Sequence, residues 1–155
     1  MTSRKEPVPR AAPSDEIDTI AYAVSFLRAA TKLSNPRWDD NHPLVVPFYM
    51  LIGFSIENGL KAILEQRNAE RSLGWKNSHD LTRLRHLCAD LMVFLDPIQI
   101  ALVDRLSPMH KEHHFRYPQK AGVVELDQPF VAIRITDRIL RCAFHAIGGP
   151  SRMED

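Results

Sequence analysis

The chain has 155 residues, a formal net charge of +1 and 25% charged residues. That length suits one domain able to bury a substantial core. No basic tract announces a nucleic-acid surface, so any such contact has to come from a local patch whose affinity falls with salt. Two cysteines, Cys88 and Cys142, sit in apolar helical patterns. They read as small buried hydrophobes of a reducing cytoplasm, not as a disulfide framework.

Residues 1–13, MTSRKEPVPRAAP, lack the apolar centre of a signal peptide and read as a disordered lead-in. Ser14 is a good N-cap, and Ile17, Ile20, Ala21, Val24 and Leu27 follow at helical spacing to about Lys32. Asn35-Pro36 ends that helix. Pro43 or Pro47 opens the next, because proline is tolerated only in a first turn.

That second helix, around Phe48–Arg67, is the centre of the chain. Phe48, Ile52, Ile56, Leu60, Ile63 and Leu64 form one stripe, widened by Met50 and Phe54. Glu57 and Lys61 interrupt it four residues apart, with the acid first, the favourable order. Such a pair is either a solvated edge or the floor of a polar pocket.

Residues 68–78 are polar around Leu73 and Trp75, with Gly74 as a breaker. Ser78 is expected to cap a third helix with a Leu81, Leu84, Leu87, Cys88, Leu91 stripe. Asp96-Pro97 starts a fourth, shorter one carrying Ile100, Val103 and Leu106, which Pro108 is expected to interrupt. Residues 109–126 read as an ordered polar loop, with a brief strand pairing over 121–126 as the alternative for that segment. Asp127 is expected to cap a last helix with Pro129 in its first turn and Val131, Ile135, Ile139, Cys142 and Ala146 as its stripe. Gly148, Gly149 and Pro150 stop it, leaving 148–155 as a flexible tail. The expectation is an all-α antiparallel bundle of about five helices over residues 14–147. No apolar run reaches the roughly 18 residues that span a bilayer, and a cytoplasmic location is expected.

Three patterns occur in one order: SIENGLKAIL, then NSHDLTRL opening a helix, then HHFRYP before the last helix. Together they resemble the HEPN superfamily of small all-helical domains, in particular the forms found beside nucleotidyltransferases or in prokaryotic toxin–antitoxin and phage-defence systems. The resemblance implies a HEPN-like bundle, a homodimer, a nucleotidyltransferase-type partner protein, and action on or near RNA or nucleotides. It also implies, for nuclease members, an Arg followed after four to six residues by a His. The Arg would stabilise phosphate charge, and the His would act as acid or base for attack by a ribose 2′-hydroxyl.

Arg105 and His110 meet that spacing nearest the expected place, as Arg-Leu-Ser-Pro-Met-His. Leu106 departs from the family pattern, which has a polar residue after the Arg, and Pro108 falls within the interval. Arg37 with His42 and Arg138 with His145 also satisfy the spacing.

His79-Asp80 resembles the doublet of HD-type metal phosphohydrolases, for which His42 and Asp104 would have to be enlisted. The plainer reading makes Asp80 complete a helix N-terminus. His110, His113 and His114 have spacing that would suit zinc or nickel on a helix, but the prolines favour a polar loop. No resident metal or cofactor is expected.

Arg116 offers a planar fork for phosphate and Tyr117 a stacking face, beside Lys111, His113, His114 and Lys120. The expected function is a nucleotide- or RNA-associated binding module with Glu57, Lys61, His79, Asp80, Arg116 and Tyr117 as its ligand surface. The alternatives are a metal-independent ribonuclease using Arg105 and His110, and a structural partner subunit without a ligand.

Overall fold

The computed structural model describes residues 15–35, 37–39, 42–112 and 126–148, with the side chains of 15–18 excepted. These form an all-helical bundle: α1 (Asp15–Leu33), α2 (Val45–Gln66), α3 (Leu81–Asp90), α4 (Pro97–Lys111) and α5 (Pro129–Ala146). Two short 3₁₀ turns, Arg71–Leu73 and Trp75–Asn77, lie between α2 and α3. No strand occurs among the described residues. The strand-pairing segment proposed for 121–126 lies almost wholly outside them.

The apolar stripe of α2 makes it the hub. Phe48, Ile52, Ile56, Leu60, Ile63 and Leu64 are all fully buried, and α2 packs against each of the other four helices. Pro47 lies in its first turn, where no intrahelical N–H is lost. The far end closes with Asn68 in the left-handed conformation (φ 52°). Ala69 N–H reaches back to Leu64 O at 2.9 Å and Asn68 N–H to Glu65 O at 3.0 Å, the Schellman pattern.

α1 buries the large side chains Ile20 and Leu27 of its expected stripe, with Val24 packed against the core, and the contact face extends over two alanines. Ile20, Ala23, Leu27 and Ala30 are buried, while Ala21 is exposed. Small alanines let α1 approach α2 closely, and Ser55 Oγ donates across the contact to Ala23 O at 2.8 Å.

Three expected boundaries are corrected. Asp80, not Ser78, caps α3, accepting from Arg83 N–H at 3.0 Å. Ser78 Oγ instead accepts the N–H of Asp80 at 3.2 Å. Asp127 does not cap α5: Gln128 stands at that position, and the Asp127 carboxylate is taken by Arg105 at 2.7 Å. Most consequentially, Pro108 does not interrupt α4, which runs on to Lys111. Proline removes one N–H bond there, but Leu106, Met109 and His110 on either side are buried. Their burial outweighs the local preference, a tertiary override of propensity. Residues 109–111, read as loop from the sequence, are therefore helical.

The start of α4 is as the sequence indicates: Asp96 accepts from Gln99 N–H at 2.9 Å while the Gln99 side chain accepts from Asp96 N–H at 2.8 Å, a capping box. Among the described residues no helix is long and apolar enough to cross a membrane.

Candidate functional site

A carboxylate in the middle of an apolar helix needs partners, because an isolated buried charge is prohibitively costly. Glu57 is 5% exposed and has three. Lys61 Nζ, one turn on, donates to Oε1 at 2.7 Å. His79 Nδ1, from the segment leading into α3, reaches Oε2 at 2.9 Å. His110 Nε2, from the last turn of α4, reaches the same oxygen at 2.6 Å. Burial by itself raises the Glu57 pKa, but the hydrogen bonds from His110, Lys61 and His79 outweigh it and hold it down to about 2. Glu57 is a permanent anion at neutral pH.

Each neighbour is positioned by its own element. Lys61 spans from Glu57 to the backbone: it also donates to Lys76 O at 2.7 Å, which ties the 3₁₀ turns to α2. Trp75 anchors the same turns, buried, with Nε1 donating to Ala69 O at 3.3 Å. The left-handed Gly74 (φ 68°) lets the chain reverse between the two turns. The result presents His79 beside Glu57 with 38% of its side chain still exposed.

His110 is held in a slot made by α2. A Cβ added to Gly53 would lie 2.4 Å from His110 Nδ1, so glycine one turn before Glu57 creates the space for the ring. Phe54 meets that ring edge-to-face at 5.0 Å. Sequence reading missed Gly53. Its only signal was an isolated glycine inside a strongly apolar helix, which usually has a packing reason.

Asp80 lies next to this centre but faces α4. Besides capping α3, it accepts from Ser107 Oγ at 3.1 Å and pairs with Lys111 at 3.2 Å. Burial raises its pKa, and the Arg83 N–H, Lys111 and Ser107 together leave it lowered.

Arg105 stands apart from the cluster. Five residues from His110 on one helix, it is turned by about 140° around the axis and pairs with Asp127, while His110 points into α2. The other spacing matches go elsewhere too: His42 stacks on Trp38 at 4.8 Å, and Arg138 pairs with Asp96 while His145 is exposed. Asp104, the acid a phosphohydrolase-type metal site would enlist, is held by Arg85 through two bonds at 2.8 and 2.7 Å. It also accepts from Thr82 Oγ1 at 2.8 Å. The Arg85 hydrogen bonds are the chief reason its pKa is lowered. Arg116, Tyr117, His113, His114 and Lys120 lie outside the described residues.

Cys88 is buried, with its thiol against Leu60 O, and burial pushes its pKa up to about 12. It is inert packing rather than a nucleophile. Away from Glu57, a groove of about 730 Å³ runs between α1 and α5, with Val24, Leu27 and Ile133 among its apolar residues and Arg28, Lys32 and Arg134 among its cations. None of the Glu57 cluster lines it.

No protein-family model, curated protein or solved structure matches this chain. What the site can do rests on its chemistry. It places a buried anion, a buried ammonium and two imidazoles in direct contact, with one imidazole reaching solvent.

Proposed function

We propose that the chain is a HEPN-like helical domain of a prokaryotic toxin–antitoxin or defence type that binds nucleotides or RNA through the surface around His79. One observation carries this reading: Lys61, His79 and His110, from three separate segments, converge on the single carboxylate of Glu57. A bundle that needed only cohesion would be at least as stable with apolar residues of the same volume there. The cluster also opens outward at His79, and Lys76 and Lys111 stand exposed on the segments that flank it. Those cations suit a phosphate. Arg116 and Tyr117, six and seven residues after His110 in the chain, add by their chemistry a bidentate phosphate fork and a stacking face.

The test is fluorescence anisotropy with labelled single-stranded RNA and with nucleoside triphosphates at several salt concentrations. The wild type is expected to bind, more weakly as salt rises. Arg116→Ala and His79→Ala are each expected to weaken binding by about tenfold, or about 1.4 kcal/mol. Absence of binding by the wild type at low salt would end this reading.

A further inference from the structure

We infer that Glu57, His79 and His110 form a binding site for a divalent transition-metal ion of the zinc class. Their ligand atoms lie within 4.8 Å of one another, and two imidazole nitrogens with one carboxylate oxygen are a donor set such ions favour. The donors already converge. His79 Nδ1 and His110 Nε2 are 2.9 and 2.6 Å from the same Glu57 oxygen. Tetrahedral zinc bonds of about 2.0–2.1 Å set donors roughly 3.4 Å apart. An ion is admitted when the two hydrogen bonds widen by less than about 1 Å and the two ring nitrogens, within 4.8 Å of each other, settle to the same spacing.

Proton balance is simple. Both rings donate N–H to the ionised carboxylate. When an ion enters, the proton on each donating nitrogen moves to the ring's other nitrogen or, where that already carries one, to solvent, and the freed lone pairs face the ion. Lys61 remains on Oε1, where it orients the carboxylate and leaves Oε2 to ligate. Glu57 and Lys61 cancel in charge, so the ion brings two positive charges into a largely buried place. An anionic fourth ligand, a hydroxide or a phosphate oxygen, is thereby favoured, and it enters beside the half-exposed His79. Neither histidine pattern that drew notice in the sequence is the donor set. Asp80 of the doublet is occupied on α4, His110 converges with His79 on Glu57, and His113 and His114 lie outside the described residues. The site depends only on these three donors and stands whether or not the protein binds RNA.

The test is titration of chelator-stripped full-length protein with Co²⁺, followed by Zn²⁺. One equivalent is expected to bind with a Kd of about 10 µM or tighter, giving a visible absorption band that Zn²⁺ abolishes. His79→Ala, at a half-exposed position, is expected to keep the helical circular dichroism, lose the band and weaken binding at least about tenfold. In the wild type, long-range ¹H–¹⁵N spectra with one equivalent of Zn²⁺ are expected to shift His79 Nδ1 and His110 Nε2. Shifts confined to other histidines, an unchanged band in His79→Ala, or no saturable uptake would each overturn the assignment.

Discussion

His110 Nε2 lies 2.6 Å from Glu57 Oε2, and its ring rests on a glycine, Gly53, that no other residue could replace without displacing it. This contact joins the last turn of α4 to the centre of α2. It explains why α4 continues through Pro108: the residue that needs to be helical for the contact lies two positions beyond the proline.

Gly53→Ala is expected to destabilise the protein by up to about 2 kcal/mol. Alanine is the better helix former by about 1 kcal/mol, but the overpacking cost of about 1–3 kcal/mol exceeds it. Urea unfolding measures the loss, and the His110 imidazole resonances report the broken bond. A stabilised Gly53→Ala protein with unchanged His110 signals would show that the slot is not tight.

Glu57→Gln is expected to cost about 3 kcal/mol at pH 7, since it leaves Lys61 and two imidazoles around a neutral group. The pH dependence follows from the lowered pKa. The unfolded chain takes up the Glu57 proton near its ordinary 4.5 and the folded chain only near 2. This contribution is therefore complete above pH about 4.5 and is lost as pH falls toward about 2. Urea titrations of metal-free wild type and Glu57→Gln should show the gap between them closing across that window. A gap independent of pH would place the cost elsewhere.

Arg105→Ala is expected to change stability by about 1 kcal/mol or less, because its pair with Asp127 is partly solvent-exposed. Incubation of RNA without added metal tests the pairing of Arg105 with His110 directly. The wild type is expected to leave the RNA intact; cleavage abolished in both Arg105→Ala and His110→Ala would mean the two act together.

Met92→Gly is expected to stabilise the protein by about 0.5–1 kcal/mol. Met92 has φ 64° and is 76% exposed, so its side chain adds little burial and strains the left-handed cap that closes α3. Thermal unfolding reads the gain, and a lower midpoint would contradict it.

The bundle was legible in the sequence wherever burial and periodicity coincide. The α2 stripe, the Asp96 capping box and the Gly148 stop are local signals, and each sits where the spacing places it. Glu57 and Lys61 were visible as a pair because their partnership spans one helical turn. The tertiary structure alone decided the rest. His79 and His110 lie 22 and 53 residues from Glu57, and no local pattern encodes a hydrogen bond across that separation. The same long-range packing carried α4 past Pro108 and turned Asp127 from a helix cap into the partner of Arg105. It also placed His110 in the slot that Gly53 leaves open. Local propensities are worth about 1 kcal/mol each, whereas a buried carboxylate must be matched by partners worth several. Where the two conflict, the buried charge determines the arrangement.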